Sequence, residues 1–270
     1  AVYDAWNRLS AVYADDGDGA FEPGADDALL ASYEYDGQNR RIVKTVGSDV
    51  TDYYYNENWQ VVEERLDGDA DPAGQYVWDL RYIDSPVVRF HDGDTDGTID
   101  DVVYYTTDAN FNVTAVVDES GSVVERYHYD PYGAVLVLNG EAGADPDTDG
   151  QGLLEGSPDP DGLSDAANDI LYCGYRYDPQ TGLYHVRNRY HHPELGRWIS
   201  RDPAGYVDGL SLHQYVGSGP TESRDPFGLD EVDDLARLWM SRGLTDPAMA
   251  RRAAQAALEM RDAARIGQNA

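Results

Sequence analysis

The chain has 270 residues, with 51 Asp plus Glu against 20 Lys plus Arg, and a formal net charge of -31. This charge repels phosphate groups, which disfavours nucleic acid and anionic membrane surfaces as partners and leaves proteins, neutral ligands and cations. The single cysteine excludes an internal disulfide and a thiolate zinc cluster, and no stretch approaches the ~18 apolar residues of a membrane span.

Tyrosine-rich segments recur along the chain and predict repeated β-hairpins. Each unit has an aromatic strand of alternating pattern, a polar turn such as DGQN or DANFN, and a second strand such as RRIVKT. Spacings of 20 and 21 residues separate Tyr35, Tyr55 and Tyr76, and 25 residues separate Tyr104 from Tyr129. A strand, turn and strand unit that recurs in this way indicates a β-hairpin array.

Three acidic inserts interrupt the predicted hairpins, at residues 14–27, 91–101 and 144–169. Runs rich in Gly, Asp and Pro are ordinarily solvated and flexible, and this is one interpretation of all three inserts. The alternative is calcium binding, because carboxylate oxygens at alternate positions of a loop suit a cation that takes about six to eight oxygen ligands.

The second insert follows most of an EF-hand-type calcium loop. Aspartates occupy loop positions 1, 3, 5 and 9, namely Asp92, Asp94, Asp96 and Asp100. Gly97 occupies position 6, but position 12 has Val103 in place of a bidentate Glu. Without that ligand we expect weak binding, with a dissociation constant of about 10⁻⁴ to 10⁻³ M. The third insert repeats the spacing with Asp145, Asp147 and Asp149.

An ordered block of motifs follows the third insert. It includes LYHVRNRYHHPELGRWISRDPAGYVDGLSLHQYV and ends in DPFGL, and the hairpins before it contain repeats such as YEYDGQNRR. Over residues 1–229 the chain resembles the YD-repeat, or Rhs-type, proteins, and the block is similar to their Rhs repeat-associated core. It departs from the family at His191 and His192, where relatives usually have Tyr and Asp.

The resemblance implies a mainly β fold, in which tyrosine-rich hairpins form part of a hollow spiral shell or cocoon around a C-terminal polypeptide, often a toxin. The predicted organisation has YD-repeat hairpins with acidic inserts over residues 1–170, the Rhs core over 171–229 and a short α-helical tail over 230–270.

Two DPxG units, at residues 202–205 and 225–228, are the strongest catalytic candidates. Asp, Pro and Gly at these positions also favour a plain type I turn, as at residues 71–74 and 130–133. The Gly-Leu ending, downstream of GRWISRDP, is similar to the family's self-cleaving aspartyl protease motif. That resemblance implies that the carboxylates of the first aspartate in each unit share a proton, so that one acts as acid while the other activates water. These residues are Asp202 and Asp225.

The resemblance also implies that the scissile bond joins Leu229 to Asp230, so that cleavage is a single-turnover, intramolecular reaction with no required cofactor. Arg201 would orient a carboxylate or hold it ionised, and a structural ion pair is the alternative. Asp208, in GYVDGL, is a reserve catalytic candidate.

Two further features have structural interpretations. His185, His191 and His192 lack an accompanying metal-ligand pattern and are predicted to be exposed strand residues. Cys173, in the strand-like LYCGYRY, is predicted to be a small buried hydrophobe.

The tail contains ten Ala and six Arg but no Tyr, and it predicts two helices, over about 231–242 and about 247–266. It has no His, Cys or Lys, which disfavours a nuclease, deaminase or protease effector. A helical plug, a remnant, a pore-like or signalling helix pair, and the leading part of a toxin remain as interpretations.

The resemblance therefore implies the C-terminal Rhs-core segment of a secreted or cell-surface protein that encloses and releases its own C-terminal polypeptide. Because the chain starts inside an aromatic, strand-like motif, we expect an upstream YD-repeat shell as one partner. The resemblance implies the tail as cargo, with neighbouring cells or carbohydrate as further candidate partners. The alternative is a non-catalytic cell-surface scaffold or adhesin that contacts carbohydrate or protein through its YD repeats.

Overall fold

The computed structural model describes residues 1–18, 21, 23, 27–139, 159, 162–203, 205–206, 210–229, 245–246, 249–250 and 252–254. Within these residues the protein is mainly β and forms two antiparallel sheets, one of 12 strands and one of 4, which confirms the predicted fold class. None of the helices in these ranges combines the length and the apolar character that a membrane crossing requires.

The strands of the long sheet pair with their neighbours in chain order, so that each hairpin packs beside the previous one. They are β1 (Val2–Tyr3), β2 (Leu9–Ala14), β3 (Ala28–Tyr35), β4 (Arg41–Val46), β5 (Asp49–Tyr55), β6 (Val61–Leu66), β7 (Gly74–Trp78), β8 (Pro86–His91), β9 (Asp101–Thr107), β10 (Val113–Val117), β11 (Val123–Tyr129) and β12 (Val135–Asn139). The short sheet contains β13 (Arg176–Asp178), β14 (Leu183–Val186), β15 (Arg189–His192) and β16 (Arg197–Trp198).

One turn structure closes many of the hairpins and explains the aspartate of the Tyr-Asp repeat. Asp36 Oδ1 accepts hydrogen bonds from the backbone N–H groups of Gln38 and Arg40, at 2.8 and 2.9 Å. An Asp or Asn makes the same two contacts, with the second and fourth residues after it, at Asp4, Asn56, Asp108, Asp118 and Asp130. The side chain therefore satisfies backbone donors that the tight turn leaves without strand partners.

The tyrosine that precedes the turn residue fixes one strand to the strand before it. In three hairpins its hydroxyl donates a hydrogen bond to the carbonyl oxygen of the preceding strand's first residue. The pairs are Tyr35 with Leu9, Tyr55 with Arg41 and Tyr129 with Val113, each at 2.7 Å. Burial of the ring and a bond for its hydroxyl together explain why Tyr, rather than Phe, recurs.

The main core cluster contains residues of both sheets and is unusually aromatic. Its fully buried members include Tyr172, Tyr184, Trp198 and Tyr215, and Tyr172 packs against Tyr184 with ring centroids 6.0 Å apart. Packing of these rings between the sheets holds the core segment against the hairpin array.

The structure corrects one expectation and confirms another. His191 is fully buried, with its ring centroid 4.3 Å from that of Tyr215 and the two rings tilted, and His185 and His192 are half-buried. The predicted exposure of the three histidines is therefore wrong. His191 is on β15 as expected, but strand alternation alone does not indicate that both faces of this short strand are covered. Cys173 is buried, as predicted, and burial raises the pKa of its thiol to about 12.

Most of the predicted tail lies outside the described residues, including all of the first predicted helix. Within the second, residues 249–250 and 252–254 are helical. Met249 N donates a hydrogen bond to Asp246 Oδ1 at 3.2 Å, which is the contact typical of a helix N-cap residue.

Candidate active site

Both candidate aspartates open a tight turn. The backbone N–H of Gly205 donates to Asp202 O at 3.1 Å, and that of Gly228 donates to Asp225 O at 3.4 Å. The DPxG units therefore form turns, as their composition predicts. A backbone hydrogen bond of 3.0 Å from Asp202 N to Leu212 O further fixes the first turn.

Arg189, at the start of β15, brings the two turns together. Its Nη1 lies 2.8 Å from Asp202 Oδ2, and its Nη2 lies 3.1 Å from Asp225 Oδ2. The contact with Asp202 is an ion pair without aligned hydrogen-bond geometry, whereas Nη2 donates a hydrogen bond to Asp225. The guanidinium is 2% exposed and lies 4.3 Å from the centroid of the Trp198 ring. A buried cation thus bridges the two carboxylates.

The same arginine holds the backbone at the predicted cleavage position. Arg189 Nη2 donates to Leu229 O at 3.0 Å, and Nε donates to Gly228 O at 2.6 Å. Leu229 N in turn donates to Asp225 Oδ1 at 2.9 Å. The N–H and the carbonyl of Leu229 are therefore both fixed by groups of the candidate site.

Gly228 allows this close approach. It has a φ of +62°, and a Cβ atom there would lie 2.5 Å from Val186 O and 3.1 Å from Arg189 N. A side chain at this position would push the segment away from β14 and β15. Steric contact therefore explains why the motif has glycine at this position. Two further bonds, from Asn188 N and Nδ2 to Phe227 O at 3.2 and 2.9 Å, fix the same segment.

The sequence pattern predicts Asp202 and Asp225 as catalytic residues, which stays a prediction, but it does not indicate Arg189. Arg201, which was expected to orient a carboxylate, is exposed. Arg189 is the arginine that contacts both candidate aspartates. The available signal was the arginine-rich VRNRY in the core block, but it does not indicate which arginine points inward. Asp208 and Asp230 lie outside the described residues.

The second acidic insert gathers three of its four candidate ligands. Oxygen atoms of Asp92, Asp94 and Asp100 lie within 4.8 Å of one another, whereas Asp96 is not in this group. Asp96 Oδ1 instead accepts the backbone N–H of Thr98 at 2.8 Å. The candidates of the third insert, Asp145, Asp147 and Asp149, lie outside the described residues.

No family model matches the chain. It is nevertheless similar to several known proteins over most of its length. The chain is 29% identical over 214 residues to the tRNA3(Ser)-specific nuclease WapA of Bacillus spizizenii, covering 75% of this chain and 8% of that protein. It is 29% identical over 224 residues to the toxin subunit YenC2 of Yersinia entomophaga, covering 78% and 20%. It is 28% identical over 244 residues to the toxin protein Tse5 of Pseudomonas aeruginosa, covering 84% and 17%.

Solved structures share the fold. The crystal structure of TcdB2-TccC3 aligns with a TM-score of 0.59 at 23% identity, over 84% of this chain and 10% of that chain. The Tc holotoxin pore of Photorhabdus luminescens aligns with a TM-score of 0.59 at 21% identity, over the same shares of the two chains.

Hairpins built on a Tyr-Asp repeat and followed by an ordered core define a class of β-hairpin repeat proteins. This chain belongs to that class, the YD-repeat or Rhs-type proteins, which includes the three relatives above. The chain spans between 8% and 20% of the length of those three relatives.

Proposed function

We propose that this chain is the C-terminal core of a secreted or cell-surface YD-repeat protein, which encloses a C-terminal polypeptide and releases it by cutting its own Leu229–Asp230 bond. The observation that carries the proposal is the contact set of Leu229. Its N–H is bound by Asp225, and its carbonyl oxygen is bound by Arg189, which also contacts Asp202.

The proposed reaction is a hydrolysis that needs only water. Asp202 takes a proton from the water as the water oxygen bonds to the carbonyl carbon of Leu229. Arg189 Nη2 already donates to Leu229 O and stabilises the negative charge that develops on that oxygen. The carbon–nitrogen bond to residue 230 then breaks, and the leaving nitrogen takes the proton back from Asp202. The products are a carboxyl group at Leu229 and an amine at Asp230.

The contacts of the two aspartates suggest different roles in this reaction. Asp225 uses one oxygen to accept the Leu229 N–H and the other to bind Arg189, so it positions the peptide. We therefore assign the activation of water to Asp202. Arg189 compensates one of the two negative charges, which lets both carboxylates occupy the same small volume.

The same contacts also support a purely structural interpretation. Asp225 binds the N–H four residues ahead, just as the hairpin residue Asp130 binds Ala134 N at 2.8 Å. What distinguishes Asp225 is the arginine, which joins its turn to Asp202 and to the carbonyl of Leu229. This difference makes Asp130 a matched control for the proposed chemistry.

Similarity to toxin proteins and toxin subunits supports release of a polypeptide, rather than adhesion, as the function of the core. In this proposal the chain's own tail is the cargo, and upstream YD-repeat hairpins complete the enclosing shell. The relatives named as toxins also support export from the cell. They do not favour the alternative of a non-catalytic scaffold or adhesin.

N-terminal sequencing of the products and incubation in water enriched in the heavy oxygen isotope test the proposal. We expect a new N-terminus at Asp230, and one heavy oxygen atom in the carboxyl group of Leu229, because water supplies that oxygen. A cut at another bond, or a Leu229 carboxyl without the label, would contradict the mechanism.

A further inference from the structure

The second acidic insert forms a carboxylate cluster that is independent of the candidate active site. One oxygen each from Asp92, Asp94 and Asp100 lies within 4.8 Å of the others. Calcium–oxygen distances are about 2.3 to 2.6 Å, so two oxygens bound to one ion are separated by at most about twice that length. The three oxygens are therefore close enough to bind a single calcium ion.

Asp92 provides a second, independent observation. It is 1% exposed, and its Oδ1 has no hydrogen-bond partner among the described residues, which include the whole of the surrounding chain from Ala28 to Asn139. Its other oxygen, Oδ2, accepts the backbone N–H of Gly97 at 2.8 Å. An ionised carboxylate oxygen buried without a donor is costly, and a bound cation would remove that cost.

The surrounding loop fixes this arrangement. Asp92 N donates to Ala73 O at 3.0 Å, and Gly93 N donates to Asp100 Oδ2 at 2.9 Å. Gly97, with a φ of +86°, would place a Cβ atom 3.5 Å from the carboxyl group of Asp71 on the neighbouring loop. The loop is therefore held against a second acidic turn, and positive φ favours glycine at this position.

The structure also explains why the twelfth position of the loop is not a glutamate. Val103 lies on β9 and is 4% exposed within the main core cluster. A carboxylate at that position would be buried among apolar side chains. The ligands must instead come from the loop itself, with water molecules to complete the coordination.

We propose that the loop from Asp92 to Asp100 is a calcium site, in which Asp92, Asp94 and Asp100 are the carboxylate ligands and Asp96 is not one. The site fixes the conformation of the β8–β9 connection and so stabilises the hairpin array. It does not depend on self-cleavage, and the two proposals can fail separately.

The electrostatics of the loop favour a cation. Three carboxylates around a divalent ion leave one net negative charge, in place of three mutually repelling ones. Calcium suits such an irregular, partly solvated oxygen site better than magnesium, which requires near-octahedral geometry and gives up water reluctantly.

Thermal unfolding of the full chain with added calcium chloride tests the site. At a dissociation constant of about 1 mM, about 10 mM calcium favours the folded state roughly tenfold and raises the melting temperature by about 3 °C. With a net charge of -31, any salt reduces repulsion within the protein, so the comparison uses magnesium chloride at the same concentration. We expect a saturable rise with calcium and a clearly smaller one with magnesium.

Asp94→Ala and Asp96→Ala form a matched pair, because both remove one exposed charge from the same loop. We expect Asp94→Ala to remove most of the calcium-specific rise and Asp96→Ala to retain it. Asp92→Asn should also lose the rise, because the amide still accepts the Gly97 N–H but no longer provides an anionic ligand. Calorimetric titration of the folded chain gives the affinity directly. The proposal is wrong if calcium and magnesium act alike, or if Asp94→Ala and Asp96→Ala respond to calcium equally.

Discussion

Arg41 and Asp178 form a completely buried ion pair that connects the two sheets. Arg41 Nη1, at the start of β4, lies 2.6 Å from Asp178 Oδ2 in β13, and both side chains are 0% exposed. Lys44 Nζ approaches Asp178 Oδ1 at 3.0 Å. The Arg41 guanidinium also lies 5.2 Å from the Tyr33 ring and 5.1 Å from the Tyr53 ring. Strands far apart in the sequence are thus joined by a charge pair within an aromatic core.

Removal of one member of this pair should strongly destabilise the fold. Asp178→Asn leaves the Arg41 guanidinium buried without its carboxylate, and we expect a loss of about 3 to 5 kcal/mol in the free energy of unfolding, measured with urea. Asp36→Asn removes the partner of Arg40 in a partly exposed pair while keeping the turn acceptor, and should cost less than about 1 kcal/mol. Equal losses in the two variants would show that the buried pair stabilises the fold no more than the Arg40–Asp36 pair does.

The buried imidazole of His191 makes stability depend on pH. Burial lowers the pKa of His191 to about 4, although its hydrogen bond to the carbonyl oxygen of Tyr132 opposes this shift. The unfolded chain takes up this proton near pH ~6.5, and the folded chain only near pH 4. Stability from this residue is therefore present above about pH 6.5 and is lost as the pH falls towards 4, by about 3 kcal/mol in all.

His191→Phe tests this pH dependence, because phenylalanine keeps an aromatic ring but cannot take up a proton. We expect the variant to be less stable near pH ~7, since the Tyr132 carbonyl loses its partner. Its free energy of unfolding should then fall less steeply than that of the wild type between about pH 6.5 and pH 4. Parallel curves for the two proteins would contradict the lowered pKa.

Arg189 should control the rate of self-cleavage more strongly than Arg201. Arg189→Lys keeps the charge but loses the planar fork that reaches Asp202, Asp225 and Leu229 O together, and we expect cleavage to slow by about 10² or more. Arg201→Lys, an exposed change, should leave the rate unaltered. Both rates are followed by the appearance of the released tail, with melting temperatures measured in parallel. A slow but fully stable Arg189→Lys supports a role in the reaction, whereas unchanged cleavage contradicts it.

The hairpin array was predictable because its determinants are local. An alternating aromatic strand and an Asp or Asn that binds N–H groups two and four residues ahead can be read directly from the repeat, as at Asp36 and Asp108. The contact between Arg189 and the two aspartates was not predictable, because it depends on how β15 lies against two distant turns. The burial of Arg41 and His191 was missed for the same reason, since polar residues on short strands do not indicate which surface will be covered.

The most direct test of the central claim is the intact mass of the purified chain, followed over time in the wild type and in three single Asn variants. Asp130 opens a DPxG turn in which Gly133 N donates to Asp130 O at 3.1 Å, but in this turn the aspartate serves only the hairpin. Asn56 occupies the same position in another hairpin, so Asp130→Asn should fold normally.

We predict that the wild type and Asp130→Asn lose residues 230–270, while Asp202→Asn and Asp225→Asn keep the full 29.9 kDa mass. An uncut wild type, or Asp202→Asn and Asp225→Asn cut as fast as the wild type, would contradict self-cleavage by these residues.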